Sequence, residues 1–282
     1  MKAAPFDYVE AGSAEEAVQI LGEAGPDATV LAGGQTLMPL LALRLASPSI
    51  VVDINPAEDM AGVTRRGATT VVGARTRQAH ASRDPAIAEH VPLMAEALGY
   101  VGHYQTRTRG TIGGSIALGE PAAEMPALAV ALDAQIELRS RRGSRMVAAR
   151  EFYVGPYATV RDDDEVLIAV HYPDWPGSNI GIFHEVARRA GDFALVGLIA
   201  TIAINGDKIG RAGIAWFGMG PTPIAAVAAE QALVGAHRDH VDLAELARTA
   251  LTEVEPADDL HASARYRRTV ASRVFQRRVD CR

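Results

Sequence analysis

The chain twice sets a Gly-Gly pair beside small hydroxyl residues: Ala32-Gly33-Gly34-Gln35-Thr36 near its start and Thr111-Ile112-Gly113-Gly114-Ser115 near its middle. A residue without Cβ lets backbone N–H groups come close to an anion and adopt positive φ. The threonine and serine hydroxyls add hydrogen bonds to phosphate oxygens. A helix following each segment would bring roughly half a positive charge at its N-terminus. Two such segments brought together can hold a diphosphate without any lysine. One Gly-Gly turn alone reads as a structural turn, so the inference rests on the pair. Other phosphate motifs do not occur: there is no G-x-x-x-x-G-K-[ST] and no G-x-G-x-x-G after the first strand.

The flanking pattern tells what carries these segments. Ser13-Ala14-Glu15-Glu16 has capping-box spacing, and Ala14, Ala17, Val18 and Leu21 follow on one helical face before Gly25-Pro26 stops the helix. Residues 28–32 predict a short strand, 37–45 a helix and 50–54 a buried strand, which makes a strand–glycine loop–helix–strand unit. In the middle region, 69–74 predicts a strand and 92–100 a helix closed near Gly99. A hairpin is expected around Arg142-Gly143, and a further strand over 165–172. The stretch from Pro173 to Asn179 holds two prolines and a glycine and reads as a linker. Beyond it, two β-rich runs flank Asn205-Gly206, a strong hairpin signal. The last 60 or so residues are helical in pattern. Three units follow: 1–56, 57–175 and 176–282.

Charge and cysteine content exclude several roles. The formal net charge of −6 gives no general attraction to nucleic acid. A single cysteine excludes an intramolecular disulfide, and also an iron–sulfur cluster or zinc–thiolate site held by this chain alone. The longest uncharged apolar run, Phe193 to Ile204, falls short of the roughly 18 residues a membrane helix needs and reads as a buried strand. The first residues lack the apolar core of a secretory signal, so a cytoplasmic protein is expected. Charge is uneven toward the end. Seven acids and two arginines lie between Arg238 and Leu260, then seven arginines and one aspartate between Arg265 and Arg282. On that last helix Tyr266, Val270, Val274 and Phe275 predict an apolar stripe for packing.

At the glycine segments and beyond them the sequence resembles a known family. AGGQTLMPLLALRLASPSIVVDI (32–54) and RGTIGGSIALGEPAAEMPALAVALDAQIEL (109–138) look like the two flavin loops of the medium subunit of molybdenum hydroxylases. REFYVGPYAT (150–159) and EVARRAGDFALVG (185–197) match two further segments, in order, across nearly the whole chain. The resemblance is to the xanthine dehydrogenase and aerobic carbon monoxide dehydrogenase group, above all the latter. It implies an α+β fold: a two-part FAD-binding domain of the vanillyl-alcohol-oxidase type, then a smaller domain with a three-stranded antiparallel sheet and helices. It carries cofactor contacts onto Ala32, Gly33, Gly34, Gln35, Thr36 and Leu37, and onto Thr111, Ile112, Gly113, Gly114 and Ser115. Glu124 falls where the family has an acid on the cofactor's sugar, and Leu167 and Phe193 where side chains approach the isoalloxazine ring.

The implied role is electron transfer, with FAD on this chain. A small partner subunit would carry [2Fe–2S] clusters and a large one molybdopterin cytosine dinucleotide, in a dimer of heterotrimers serving an external acceptor. No catalytic acid or base is demanded of this chain. Departures from the family stand at Leu118-Gly119-Glu120-Pro121, where relatives often read His-Ala-Asp-Pro, and at His184-Glu185, where a lysine is common. Phe193 lacks the polar handle of a tyrosine or tryptophan. Two alternatives stay open: a self-sufficient FAD oxidase of the same fold, and a non-catalytic nucleotide-binding or scaffold module. His184-Glu185 fails as H-E-x-x-H because Arg188 holds the last position. His103 reads as structural, and Cys281 as an inert exposed thiol. Arg107 and Arg109 read equally as phosphate neutralisers or as solvated side chains.

Overall fold

Ser13 opens the first helix by accepting from the Glu16 N–H at 3.1 Å, and Glu16 Oε2 reaches back to the Gly12 N–H at 2.7 Å. That exchange satisfies donors that a helix start and its approach leave bare, as the spacing predicts. The helix, α1 (Ala14–Ala24), buries Ala14, Ala17, Val18 and Leu21, and Gly25 ends it at a φ of +68°. The structure, a computed structural model, describes residues 2–175 and 177–279. Pro176 of the expected linker and Cys281 lie outside the described residues.

Strands β1 (Asp7–Glu10), β2 (Ala28–Leu31) and β3 (Ile50–Asp53) form a parallel sheet in the order β1-β3-β2. Helix α2 (Leu37–Leu43) joins β2 to β3 and completes the expected unit. It stops at Leu43 rather than Leu45 because Arg44 turns left-handed, at a φ of 59°.

The next stretch holds β4 (Val63–Arg65), β5 (Thr69–Gly73) and six helices: α3 (Gln78–Ala81), α4 (Pro85–His90), α5 (Pro92–Leu98), α6 (Tyr104–Arg109), α7 (Ile112–Leu118) and α8 (Glu124–Ala131). Then come β6 (Gln135–Ser140), β7 (Gly143–Ala148), α9 (Ala149–Phe152), the small pair β8 (Tyr153–Gly155) and β9 (Ala158–Thr159), and β10 (Val166–Pro173). Strands β4-β5-β10-β6-β7 make one antiparallel sheet in that order, with the expected turn at Arg142-Gly143. Every residue of α8 is buried. A helix that is buried all round belongs at the centre of a core, and α8 packs against α5, α7 and the sheet that follows.

That last sheet contains β11 (Ser178–Val186), β12 (Val196–Asn205), β13 (Lys208–Phe217) and the two-residue β14 (Ile224–Ala225), all antiparallel. Its three long strands are the expected sheet, with Gly206 at a φ of 62° in the β12–β13 turn. The apolar run that opens at Phe193 enters the strand only at Val196, and Phe193 itself is exposed. One face of this sheet joins the core of the first two sheets through Phe183, Ile199, Ala215 and Phe217. The other face is covered by α10 (Val227–Leu233), α11 (Leu243–Thr249) and α12 (Ala264–Arg278). No helix among the described residues is long and apolar enough to cross a membrane.

On α12 the buried stripe differs from the expected one. Arg267, Ala271, Val274 and Phe275 face inward, while Tyr266 is exposed and Val270 only half-buried. The guanidinium of Arg267 turns the helix by donating to the carbonyls of Leu195 at 2.6 Å and Gly218 at 2.7 Å, and to Asp259 at 2.6 Å. An arginine with three of its donors met by protein acceptors can occupy a position that an apolar pattern would give to its neighbour.

Candidate functional site

The two glycine segments meet. A Cβ on Gly33 would lie 2.5 Å from the Arg109 carbonyl oxygen and 2.8 Å from the Gly110 Cα, so only glycine lets the first segment lie against the backbone of the second. Gly34 follows at a φ of +69°, in the left-handed region. Across from them, a Cβ on Gly114 would come within 2.7 Å of Thr111 Oγ1 and 3.7 Å of the Ala32 Cβ. Beside the first segment runs a groove of roughly 390 Å³, lined by Gly33, Gly34, Gln35, Asn55, Arg77 and Arg109 among others, and by none of Thr111 to Ser115.

The two segments offer different chemistry. Among the described residues, the N–H groups of Gly33, Gly34, Gln35 and Thr36 donate to no protein acceptor. Gln35 and Thr36 form the turn into α2, with Gln35 Nε2 donating to the Gly33 carbonyl at 3.2 Å and Leu37 opening the helix. A run of bare donors beside two arginines is an anion cradle. In the second segment Gly113 and Gly114 lie in the first turn of α7 rather than in a loop, and the N–H groups are already used. Ile112 donates to Thr76 O at 3.0 Å, Gly113 to Ala74 O at 2.8 Å, Gly114 to the capping Thr111 Oγ1 at 3.1 Å and Ser115 to Thr111 O at 3.2 Å. What this segment keeps for a ligand is the hydroxyl chemistry of Thr111 and Ser115. The Ile112 side chain is packed in the core.

Two residues that the sequence reading passed over join the segments. Arg77 donates through Nη1 to the Arg109 carbonyl and through Nη2 to Asn55 Oδ1. Asn55 in turn donates to the Ala32 carbonyl at 2.9 Å. Burial, then the charges of Arg75 and Arg109, push the Arg77 guanidinium below its usual range. A cation held against like charge in this way is stabilised by an arriving anion. Arg109 lines the groove, whereas Arg107 donates to the carbonyls of Val101 and Gly102 and holds a turn.

Thr36 and Leu37 do not line this groove either, and the remaining predicted residues lie outside it. Glu124 opens α8 and is 4% exposed; burial raises its carboxyl to about 7. Leu167 is buried in β10 opposite Leu138, where the ladder slips, and lines neither the groove nor the cleft described next. Phe193 is 60% exposed and lines a larger cleft of about 1200 Å³ between Glu120 and Tyr157 on one side and Arg189 and Arg267 on the other. Glu120, at the family departure, accepts from the Tyr157 hydroxyl there. His103 has a packing role at this cleft. A Cβ on Gly191 would lie 2.8 Å from its ring, so the Phe193 loop rests on His103.

The sequence profile described as "FAD binding domain in molybdopterin dehydrogenase" matches residues 4–175, and that of the "CO dehydrogenase flavoprotein C-terminal domain" matches 181–281. The 6-hydroxypseudooxynicotine dehydrogenase complex subunit alpha of Paenarthrobacter nicotinovorans is 36% identical, over 98% of this chain and 94% of its own. The carbon monoxide dehydrogenase medium chain of Hydrogenophaga pseudoflava is 32% identical, over 98% of this chain and 96% of its own. A solved structure of the carbon monoxide dehydrogenase of that organism, lacking the Mo-pyranopterin moiety, superimposes with a TM-score of 0.95 at 34% identity, covering 100% of this chain and 98% of that one. With its paired glycine segments, its three sheets and both domains matched end to end, the chain belongs to the FAD-binding medium subunits of the molybdenum hydroxylase family, which are oxidoreductase subunits.

Proposed function

We propose that this chain holds FAD in the groove beside its first glycine segment and is the route by which electrons from [2Fe–2S] clusters on a partner subunit reach an external acceptor. The observation that carries the reading is the run of four unused N–H groups from Gly33 to Thr36, set against Arg77 and Arg109. Bare donors and guanidinium groups suit the two negative charges of a diphosphate. In this reading the cofactor extends beyond the groove, with the Thr111 and Ser115 hydroxyls, Glu124, Leu167 and Phe193 as its further contacts. Phe193 packs without hydrogen-bonding, so it excludes water and leaves the ring's polar edge to other groups. Bound FAD supplies the capacity to take up electrons singly and release them in pairs. The protein's share is to bind, orient and tune.

A [2Fe–2S] cluster needs four ligands, mostly thiolates, and this chain has one cysteine, so the clusters belong to another chain. The full assembly in this reading is a cytoplasmic dimer of heterotrimers: this chain, a small iron–sulfur subunit and a large subunit with molybdopterin cytosine dinucleotide. Native mass spectrometry of the complex purified from its own cells tests it. The expected result is three different chains with one FAD per copy of this one. A lone chain, or a complex without iron and molybdenum, contradicts the relay.

A further inference from the structure

The end of β3 carries a buried acid next to the groove. Val52 and Ile54 point into the core, so Asp53 between them faces the other side of its sheet. Its partners across the ladder are Glu10 of β1 and Leu31 of β2. Leu31 lines the groove and Ala32 follows it, so Asp53 sits beside a strand that walls the site. Asp53 is 7% exposed and does not itself line the groove. Both oxygens of its carboxylate are engaged. Oδ2 accepts from the Tyr8 hydroxyl, while Oδ1 accepts from the Asn55 N–H at 2.8 Å and from Asn55 Nδ2.

The Asn55 amide has one way to fit among these neighbours. Its nitrogen meets two groups that only accept, the Asp53 carboxylate and the Ala32 carbonyl at 2.9 Å, and both amide hydrogens are spent there. Its oxygen is left facing Arg77, which only donates. A flipped amide would set its oxygen against two acceptors and its hydrogens against a guanidinium. Asp53, with the Ala32 carbonyl, therefore decides which end of the amide Arg77 meets. Arg77 is then held from two directions, by Asn55 Oδ1 and by the Arg109 carbonyl, where it lines the groove.

We propose that Asp53 is a positioning residue for the cofactor groove: by accepting from Asn55 it turns that amide's oxygen to Arg77 and so fixes the guanidinium beside the bare N–H groups of Gly33 to Thr36. The inference rests on the FAD site proposed above. A guanidinium free to swing loses conformational entropy when an anion orders it, whereas one already held has little left to lose. Asp53 acts on the groove only through Asn55 and Arg77, which do line it. Tyr8 extends the same chain of hydrogen bonds to β1, where it is 52% exposed and steadies the second carboxylate oxygen.

The test is FAD retention by the whole complex, read by ultrafiltration as a double-mutant cycle with Arg77→Lys, which removes the bridge. Asp53→Ala frees the Asn55 amide and is expected to weaken retention about tenfold, the scale of one hydrogen bond to a charged group. In the Arg77→Lys background the same change is expected to add less than about twofold, because no bridge is left to position. Asp53→Asn still offers Asn55 an oxygen and can donate its own amide hydrogens to the Tyr8 hydroxyl, so it is expected to stay within about threefold of wild type. Wild-type retention in Asp53→Ala overturns the proposal. So does an equal loss in both backgrounds, which would make the acid a support of β3 alone, or an asparagine variant as weak as the alanine one. Should Asp53→Ala fail to assemble, Tyr8→Phe goes through the same cycle, with a loss of about threefold expected in the wild-type background and none with Arg77→Lys; no loss, or the same loss in both, overturns the proposal. Absence of FAD from every protein, wild type included, overturns the flavoprotein reading instead.

Discussion

Arg77 joins the two glycine segments through separate acceptors on either side of the groove, the Arg109 carbonyl and Asn55 Oδ1. A guanidinium does this with a rigid fork, whereas an ammonium is a point charge on a flexible stem. Arg77→Lys is therefore expected to keep the charge and lose the bridge. FAD retention should drop about tenfold, roughly the 1.4 kcal/mol of one charged hydrogen bond, as measured by ultrafiltration of the complex; retention equal to wild type would show that charge alone suffices. The glycines and hydroxyls of this site are legible in the sequence because their chemistry is local: a missing Cβ or a short hydroxyl means the same wherever the chain goes. Arg77 and Asn55 carry no such mark. Arg77 is one of many arginines, and its value comes only from the fold bringing residue 77 beside residues 55 and 109. Arg107 and Arg109, indistinguishable in sequence, part for the same reason: one holds a turn and the other lines the groove.

Elements with a local code were legible to within a residue or two. Capping at Ser13, the turn at Asn205-Gly206 and the alternating helix and strand of the first unit all follow from neighbours in sequence. Two elements depart from their patterns for tertiary reasons. Gly113 and Gly114 look like a loop yet form the first turn of α7, because Thr111 caps them and Ala74 comes so close that a Cβ on Gly113 would lie 2.4 Å from its Cβ. On α12 the buried guanidinium of Arg267 turns the inward face by one residue. It fastens the entry of β12 and the exit of β13, through Leu195 and Gly218, beside the cleft that Phe193 lines. Replacing it with an apolar residue leaves two carbonyls and Asp259 without their donor. Arg267→Leu is expected to destabilise by about 3 kcal/mol, read from denaturant unfolding. A loss under about 0.5 kcal/mol would mean water replaces the guanidinium at no cost.

At the scale of the molecule, the third sheet is coupled to the rest by charge as well as by core. Arg150 donates to Asp133 at 2.6 Å and to Glu230 at 2.8 Å, Asp133 also accepts from Arg211 at 2.6 Å, and the Arg211 guanidinium lies 3.8 Å over the Trp175 ring. The Ile214 N–H donates to Glu230 at 2.7 Å and carries this network into β13. The network ties the chain after α8 and the helix α9 to β13 and α10. Nothing in the sequence singles out these four charges, since each pairs with residues tens of positions away. The central claim is that the bare main chain from Gly33 to Thr36, set by Gly33 against the backbone of the second segment, holds the diphosphate of FAD. The measurement that tests it most directly is the flavin absorbance per chain of the purified complex, for wild type, Gly34→Val and Gly114→Val. Valine at 34 cannot take a φ of +69°, and valine at 114 collides with Thr111 Oγ1. One FAD per wild-type chain and a colourless chain in both variants, still bound to its partner subunits, are expected. Full flavin in either folded variant would contradict it.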